Sequence, residues 1–412
     1  MFKEANAATH FGNKKGKVQT MTFREAAAAL GVEKYPEALD AVQEEAAGKL
    51  IDICDIPWLE ELDATYGVLG EFKAEVLQGA EAVKNDPARY CWGQTVATYL
   101  HDRDMAAVRS VPTPASDKTP AGDMLPLLIM LTMVPNMVRD YRMRGADEEK
   151  IKRYLTHFQG NMKIVRTMTG RLGINQLYFN WTMLYVKAMI FDLAGFNFEM
   201  KKFPATSMFL QNRETGALAC LMQKGTFHRS GMMLGAAGFA DEEGSFAAEF
   251  EETEDSYCGY EAVDGLVIRE KKTFPKAEWE CILRGGENIL GMHIPRKTDI
   301  SKEAFDRAVA AAKEFAETYY KEYAPVCLHC SSWLLDPTLA EIVGADAKIP
   351  QFGARFTRHP NKSAGREVFT FVFPPMITDL NEIPETSRLT RGLKQRYLDG
   401  KFAHAYSGIC LF

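Results

Sequence analysis

Hydrophobic residues recur at intervals of three and four from about residue 20 to about residue 195, which is the period of amphipathic helices. Thr22 and Glu25 have the spacing of a capping box in front of the apolar run Ala26–Leu30. A second helix is predicted over 147–167, with an apolar face made of Ile151, Tyr154, Leu155, Phe158, Met162 and Val165. The most apolar helix is predicted over 178–193. This half of the chain is therefore predicted to be helical.

The pattern changes near Gly195, where apolar and polar residues begin to alternate as they do in strands. Ser207–Gln211 and Ala217–Gln223 flank a polar turn with a glycine near its end, which is typical of a β-hairpin. Later strands are predicted at Gln351–Phe356 and Glu367–Phe373, and a short helix at Pro275–Trp279. The second half therefore combines a mixed sheet with helices, and the predicted fold class is α+β.

Residues 289–344 are predicted to form a strand, a basic loop, a capped helix, a second strand and a short helix. The first strand covers 289–294 and the second 325–333. Ser301 is suited to cap the long helix, and Ile300 and Phe305 have the spacing of a hydrophobic staple. Asp336 followed by Pro337 is typical of another helix start.

The loop between the first strand and the long helix carries Arg296 and Lys297. Free N–H groups and the positive end of the helix dipole make such a helix start suitable for phosphate. The same residues also fit a solvated loop in front of a helix that merely packs. Both interpretations stay open from the residues alone.

His293 ends the first strand, where a histidine can act as a general base or can be a hydrogen-bonded structural residue. Cys327 and Cys330 flank His329 in a pattern that superficially resembles a metal or redox motif. An offset of three in a strand puts the two sulfur atoms on opposite faces, so we expect core cysteines and no metal site. Trp333 is expected to fill the core or to line a pocket.

Composition narrows the function classes. The 412 residues carry a net charge of −6, which gives no general electrostatic case for nucleic-acid binding. The apolar runs 124–138 and 179–198 are interrupted by prolines or charged residues, so both are predicted to be buried helices rather than membrane spans. Eight scattered cysteines and the lack of a visible secretory signal favour a cytoplasmic protein with no membrane partner.

Two sequence motifs, separated by a predicted helix, resemble those of a bacterial acyltransferase family with a helical N-terminal domain and a GNAT-like C-terminal domain. They are Leu290-Gly-Met-His-Ile-Pro295 and Cys330-Ser-Ser-Trp-Leu-Leu-Asp-Pro337. The resemblance is specific within 279–356 and covers roughly residues 40–375 in the order of elements. Ser331 stands where the family's second histidine is expected, and the loop after Ile294 has no glycine.

The resemblance implies a helical N-terminal domain at 1–170, a GNAT-like mixed-sheet α/β domain at 171–380 and a C-terminal tail at 381–412. It implies acetyl-CoA or another acyl-CoA as co-substrate, held where the two strands separate. The expected catalytic residues are His293, His329 and Ser331. The expected acyl-CoA-binding residues are Met292, Ile294, Arg296, Lys297 and Ser301, and the expected substrate pocket includes Trp333 and Cys330.

The expected function is transfer of an acyl group from acyl-CoA to a small amine by direct attack. One alternative is a small-molecule binding protein that kept the GNAT-like fold and altered the chemistry. A hydrolase with Cys330 or Ser332 as nucleophile is a third hypothesis, although neither residue has a base on its own face of the strand. An interaction scaffold is also open.

Overall fold

The computed structural model describes residues 21–46, 49–373, 377 and 379–412. It divides the chain into two compact units that meet between Met189 and Ile190, further along the chain than the predicted boundary at 170/171. The difference is the helix Gln176–Val186, which packs against earlier helices of the first unit. Asn161 Nδ2, on one of those helices, donates a hydrogen bond to Thr182 Oγ1 at 2.7 Å. The helix therefore belongs to the helical unit.

The first unit is helical, as predicted. Its α-helices are α1 (Phe23–Ala29), α2 (Ala38–Glu45), α3 (Ile56–Tyr66), α4 (Lys73–Lys84), α5 (Pro87–Leu100), α6 (Met105–Ser110), α7 (Pro120–Leu131), α8 (Val134–Met143), α9 (Glu148–Thr169) and α10 (Gln176–Val186). A short 3₁₀ helix at Gly70–Phe72 precedes α4. The capping box of Thr22 and Glu25 is present at the start of α1, and the apolar face predicted for 147–167 is buried in α9.

One apolar stretch in the described part of the chain is long enough to cross a membrane by length and composition. It is Pro120–Met143, which comprises α7 and α8. In its most apolar window, 89% of the residues are buried inside the protein, as in the core helix of a soluble protein. The prediction of buried helix at 124–138 is therefore confirmed, with a break at Thr132 and Met133.

The second unit contains strands and the remaining helices. Its strands are β1 (Ile190–Leu193), β2 (Phe196–Lys202), β3 (Ser207–Asn212), β4 (Leu218–Met222), β5 (Thr226–Phe227), β6 (Phe246–Ala247), β7 (Phe250–Glu252), β8 (Ser256–Val263), β9 (Leu266–Pro275), β10 (Trp279–Leu283), β11 (Asn288–His293), β12 (Leu328–Ser332), β13 (Thr357–Pro360) and β14 (Tyr406–Cys410). Its α-helices are α11 (Lys302–Tyr319), α12 (Leu339–Val343), α13 (Lys348–Gly353), α14 (Glu367–Phe371) and α15 (Arg388–Leu398), and 3₁₀ helices lie at Trp333–Leu335 and Leu380–Glu382.

Two six-stranded sheets organise this unit. The first, called sheet A, has the order β1-β2-β11-β12-β14-β13, and the second, sheet B, has the order β10-β3-β4-β8-β7 with β9 paired to β8. Strands β11 and β12 run parallel and α11 connects them, whereas the other neighbours in sheet A are antiparallel. The predicted strand–helix–strand unit is therefore at the centre of a mixed sheet, and the predicted fold class is confirmed.

The two faces of sheet A have different coverings. On one face, Phe305 of α11 contacts Phe196 of β2, with ring centroids 6.5 Å apart. On the other face, Ile289 and Ile409 join a buried cluster with Phe209 of sheet B. Residues of β11 with odd numbers lie on the face toward sheet B, because side chains alternate along a strand.

Four local predictions were wrong. The helix predicted over 178–193 ends at Val186, and residues 190–193 form strand β1, so the run 179–198 is not one buried helix. Residues 351–356 form the end of α13 and the turn before β13, and Phe352 and Phe356 both pack on Phe305. An offset of four puts two side chains on one face of a helix and also on one face of a strand, so the pattern alone could not separate the two. The segment 367–373 begins with α14, and 276–278 is a hairpin turn between β9 and β10.

The segment 381–412 is an integral part of the second unit. It supplies α15, whose Leu393 and Tyr397 are buried in a cluster with Trp333. It also supplies β14, which lies between β12 and β13 in sheet A. The sequence predicted only a tail of undefined shape here, because the pairing partners of β14 lie about 45 to 80 residues earlier in the chain.

Candidate active site

The two parallel strands of sheet A separate near their carboxyl ends. Their pairing ends at Met292 and Cys330, although β11 remains paired to β2 as far as His293 and β12 remains paired to β14 as far as Ser332. The next residues along the two strands are His293 and Ser331. On alternation, both side chains lie on the face that carries Gly291 and His329. We call the place between the two strands beyond their last paired residues the gap; it has a histidine on one edge and a hydroxyl group on the other.

His293 is held by a carboxylate. Its Nε2 lies 2.9 Å from Glu199 Oε2, and Glu199 is almost completely buried on the neighbouring strand β2. An ionised carboxylate can only accept a hydrogen bond, so Nε2 of His293 carries the proton and the lone pair of the neutral ring is on Nδ1. The imidazole side chain is one-third exposed, at 33%. This arrangement fixes the orientation and the tautomer of a histidine that solvent can reach.

Ser331 is exposed and has an amide partner. Asn361 Nδ2 donates hydrogen bonds to Ser331 Oγ and Ser407 Oγ, each at 2.9 Å. Ser407 is the neighbour of Ser331 on β14. Both hydroxyl oxygens act as acceptors here, and neither hydroxyl proton has an acceptor among the residues that the structure describes. The pair therefore offers O–H donors on the edge of the gap opposite His293.

His329, the other histidine expected to act in catalysis, is enclosed. It is 3% exposed, and neither ring nitrogen has a hydrogen-bond partner in the described part of the chain. Burial lowers the pKa of His329 well below its usual range, and the positive charge of Lys201 lowers it further. His329 is therefore a neutral ring without polar contacts in that part of the chain, and an unsatisfied buried polar group typically costs about 1–3 kcal/mol. Its ring cannot reach a substrate in the gap in this conformation.

The loop after β11 forms the predicted helix start. Ser301 caps α11 by accepting a hydrogen bond from the Ala304 amide, and the amides of Lys302 and Glu303 have no acceptor among the described residues. Lys297 has a φ of +67°, the left-handed conformation that glycine usually supplies. A backbone with this shape is therefore present here although the loop contains no glycine.

Charges around this helix start are mixed. Asp299 accepts hydrogen bonds from the backbone and the hydroxyl of Ser301, and it forms an ion pair with Lys348 at 2.9 Å. The hydrogen bond from Lys348, followed by those from Ser301, lowers the pKa of Asp299 to about 2. A negative charge is therefore present beside the amides that could bind phosphate, together with Arg296, Lys297 and Lys348.

Arg296 also borders an open cavity of about 330 Å³. The other residues that line it come from the C-terminal part of the second unit: Val372, Phe373, Pro384, Thr386 and Thr390. No pattern in the sequence indicates this cavity, because residues 372–390 are distant from the loop along the chain.

The remaining predicted site residues are buried to different degrees. Met292 is buried and Ile294 is half-buried at the end of β11. Cys330 is 1% exposed, and burial raises the pKa of its thiol to about 12, which argues against a nucleophilic cysteine. Trp333 packs in the cluster with Leu393 and Tyr397. Neither Cys330 nor Trp333 presents a surface to a substrate in this conformation.

Sequence reasoning missed Glu199, Lys201 and Asn361. Glu199 and Lys201 alternate with apolar residues in β2, a pattern that predicts a solvated face, yet sheet B covers much of that face. Asn361 follows β13, which was not predicted. The one available signal was Gly291, since a glycine inside an apolar strand often marks a close approach of another group. Among the described residues, no group of three or more histidine, cysteine, aspartate or glutamate residues could hold a metal ion.

Two family models match the chain. The N-acyltransferase N-terminal domain matches residues 58–188, and the GNAT-like C-terminal domain matches residues 190–410. The two matched ranges adjoin at the division between the two structural units. No curated protein matches this chain.

Several solved structures share the fold. One is an acyltransferase in complex with decanoyl-CoA and teicoplanin, with a TM-score of 0.59 and 18% identity, over 95% of this chain and 99% of that chain. Another is an acyltransferase mutant in complex with octanoyl-CoA, with a TM-score of 0.58 and 17% identity, over 95% of this chain and 100% of that chain. At this identity the likeness concerns the fold alone. The GNAT-like model covers more than half of the chain, and the chain belongs to the family of two-domain N-acyltransferases with a helical N-terminal domain and a GNAT-like C-terminal domain.

Proposed function

We propose that this protein transfers an acyl group from acyl-CoA to the nitrogen of a small amine by direct attack. The observation that carries the proposal is the gap between β11 and β12, with His293 and Glu199 on one edge and Ser331 on the other. The family supplies the reaction class, and the fold relatives with octanoyl-CoA, decanoyl-CoA or CoA support acyl-CoA as the donor.

His293 acts as the general base in this proposal. The amine nitrogen forms a bond to the thioester carbon while Nδ1 of His293 takes one amine proton. Glu199 holds the ring through Nε2 and stabilises the imidazolium that results. The carbon–sulfur bond then breaks, and the leaving thiolate receives a proton, so that the products are an amide and CoA. No covalent intermediate on the protein is needed, in agreement with the buried thiol of Cys330.

Ser331 supplies a hydrogen-bond donor to the carbonyl oxygen or to the leaving sulfur. Asn361 occupies one lone pair of the Ser331 oxygen and so orients the hydroxyl proton away from itself. Preorganised donors aimed at developing negative charge contribute strongly to acyl-transfer catalysis. Ser331 can serve in this way where other family members are expected to have a histidine.

The start of α11 fits the diphosphate of CoA. The amides of Lys302 and Glu303, the left-handed Lys297 and the guanidinium of Arg296 can approach phosphate oxygens together. Met292 and Ile294, at the end of β11, lie beside the proposed path of the acyl-CoA along this strand. The cavity beside Arg296 has room for a further part of CoA. The negative charge of Asp299 repels a phosphate group, and the ion pair between Asp299 and Lys348 weakens this repulsion.

Titration calorimetry with decanoyl-CoA tests the donor site. We expect binding to the wild-type chain, and a loss of affinity when Arg296 and Lys297 are both changed to alanine. The matched control is Lys313→Ala, which removes an exposed cation from the middle of α11, far from the helix start. Unchanged binding in the double variant would remove the proposed phosphate site, and no binding at all would favour the alternative of a protein with altered ligand chemistry.

Turnover is measured next, as thiol release from decanoyl-CoA in the presence of primary amines. We expect amide formation at neutral pH and its loss in His293→Ala. A cytoplasmic, bacterial setting also belongs to the proposal, since acyl-CoA is an intracellular metabolite and all eight cysteines are free thiols. Failure of every amine while decanoyl-CoA binds tightly would argue against the transferase.

A further inference from the structure

The side chain of Lys201 crosses the strand that leads to His293. Lys201 lies on β2 opposite Ile289, and its side chain runs over Gly291 of β11. A Cβ atom at position 291 would lie 2.7 Å from Lys201 Cε and 3.1 Å from Nζ, which is closer than ordinary contacts allow. The absence of a side chain at Gly291 therefore gives the lysine its path across the sheet.

The path leads toward His329. Strand β12 lies beyond β11, and His329 is directly opposite Gly291 there. The positive charge of Lys201 lowers the pKa of His329 in addition to the effect of burial, as expected for a nearby cation. Lys201 is half-buried, whereas His329 is only 3% exposed.

Neither the ammonium group of Lys201 nor the ring of His329 has a hydrogen-bond partner in the described part of the chain, although the backbone oxygen of Lys201 accepts from Tyr323 Oη. The Lys201 ammonium forms no ion pair or hydrogen bond with any residue that the structure describes, and the ring nitrogens of His329 are equally unpaired there. The nearest carboxylate along the same strand face is Glu199, which is engaged with His293. The floor beside these residues is formed by Ile289 and Ile409, which are completely buried, while Glu199 is directly opposite Gly291 on β2. Two hydrogen-bond donors therefore converge over an apolar floor without an acceptor among the described residues.

We propose that Lys201 and His329 form a subsite for a carboxylate group of the amine acceptor. This inference rests on the proposed function. One carboxylate oxygen accepts from the ammonium group of Lys201. The other accepts from the single N–H of neutral His329, which requires the residues that enclose this ring, among them Phe203, to move from their positions in this conformation. The acceptor is then an amino-carboxylate, such as an amino acid, and the subsite holds its anionic end.

The position of the subsite favours the acceptor over the phosphates of CoA. His293 is two residues from Gly291, a distance of roughly 7 Å along an extended strand. Arg296 is five residues from Gly291, beyond the end of β11, at a distance of at most roughly 16 Å. A molecule with an amine and a carboxylate separated by a few bonds spans the shorter distance. The diphosphate has its own cations at the start of α11, on the far side of His293.

The first test is a binding comparison of two product analogues, N-decanoylglycine and N-decanoylglycinamide, by titration calorimetry. They differ only in the carboxylate. We expect the carboxylate to bind about 10- to 100-fold more tightly to the wild-type chain, the range for hydrogen bonds to a charged group. Lys201→Met is expected to abolish this preference. The matched control is Lys202→Met, which removes the same charge from the next residue, on the opposite face and exposed.

The result that would overturn the subsite is equal binding of the two analogues to the wild-type chain, binding of neither, or a preference that survives Lys201→Met. Decanoyl-CoA is titrated into the same samples. If decanoyl-CoA binds and is turned over with glycinamide as well as with glycine, the subsite fails and the proposed function stands. If decanoyl-CoA does not bind, the proposed function fails. The difference in affinity between N-decanoylglycine and N-decanoylglycinamide then still shows whether the carboxylate subsite exists.

A kinetic comparison separates this role from a structural one. With glycine as acceptor, Lys201→Met is expected to raise KM about 10- to 100-fold while kcat stays the same, because the lost contact holds the acceptor and does not react. With glycinamide as acceptor, neither constant is expected to change. Equal losses with both acceptors would indicate damage to the fold and contradict the subsite.

Discussion

Two pairs of polar side chains lie on the same face of sheet A and differ in one respect. His293 and Glu199 satisfy each other through a direct hydrogen bond, while the side chains of Lys201, which passes over Gly291, and of His329, opposite Gly291, have no acceptor among the described residues. All four side chains are buried or half-buried. Burial alone therefore does not explain why one pair is satisfied and the other is not.

The difference indicates which pair is complete without a ligand. A base must be oriented before the substrate arrives, so its partner belongs to the protein. A binding subsite has to leave its donors unpaired, because an internal acceptor would compete with the ligand. The unsatisfied pair then carries a cost in folding free energy that the ligand offsets, as is common where function and stability conflict.

The largest effect is expected from the satisfied pair. His293→Ala removes the proton acceptor and should lower kcat by about 10²- to 10⁴-fold, the usual contribution of a general base. The dissociation constant of decanoyl-CoA should not change, since the proposed site for its diphosphate lies further along the chain, at the start of α11. Thiol-release kinetics and calorimetry measure the two quantities separately. Partial recovery of activity with added imidazole would support the role, whereas an unchanged kcat would contradict it.

A third histidine on this face, His359, extends the comparison, because its titration makes the stability of the protein depend on pH. His359 is buried but satisfied, with Nε2 3.3 Å from Ser207 Oγ, and burial lowers its pKa to about 4. The unfolded chain takes up a proton near pH 6.5, and the folded chain does so only near pH 4. The contribution of His359 to stability is therefore full above about pH 6.5 and is lost as the pH falls to about 4, by about 3 kcal/mol.

Urea unfolding at pH 7, 5.5 and 4 measures this loss. His329 titrates in the same direction, since its pKa is also lowered by burial, so the wild-type chain loses stability to both histidines. In His359→Gln the unfolding free energy should fall less steeply with decreasing pH, because, of the two histidines, only the contribution of His329 remains. A variant whose unfolding free energy falls with pH as steeply as that of the wild-type chain would show that His359 is not buried in its neutral form.

Replacing the unsatisfied histidine should have the opposite sign from most core substitutions. His329→Leu removes two unpaired ring nitrogens from an apolar site and is expected to stabilise the protein by about 1–3 kcal/mol. The measurement is the denaturation midpoint at pH 7 with an unchanged slope. His359→Leu is the matched control, and it should destabilise because it breaks existing contacts. A lower midpoint for His329→Leu would mean that the ring has partners.

Much of the fold around the proposed donor site could be predicted from the sequence, because its signals are local. Ser301, Ile300 and Phe305 specify where α11 begins, and the apolar run before His293 specifies β11. These features depend on neighbours within a few residues, and the structure has them where the pattern predicts them. The family resemblance rested on the same segment.

The acceptor side could not be predicted, because it depends on contacts between distant segments. Asn361 meets Ser331 only through β14, and Lys201 meets His329 only through the register of β2, β11 and β12. The sequence pattern also placed Lys201 on a solvated face, and the covering by sheet B reversed that expectation. Long-range pairing decides both, and no local pattern encodes it.

The smallest effect is expected from a charge pair on an exposed part of the proposed site, the ion pair between Asp299 and Lys348. Asp299 is negatively charged at neutral pH, since Lys348 and Ser301 lower its pKa to about 2, and it lies beside the amides at the start of α11. Asp299→Asn keeps an oxygen for the Ser301 amide but removes the charge and frees Lys348. We expect the affinity for decanoyl-CoA to rise by about 2- to 5-fold, the size of a single charge effect at a helix terminus.

Calorimetry at low and at high ionic strength measures the change, and the gain should shrink at high salt because exposed charges are screened. Glu317→Gln, near the other end of α11 and exposed, is the matched control and should leave affinity unchanged. Weaker binding in Asp299→Asn would mean that the loop needs the Asp299–Lys348 pair for its shape. In that case an internal ion pair would be needed to shape the exposed helix start, as the hydrogen bond to Glu199 is needed to orient His293. Lys201 and His329 would then differ from both, because their side chains have no internal partner among the described residues.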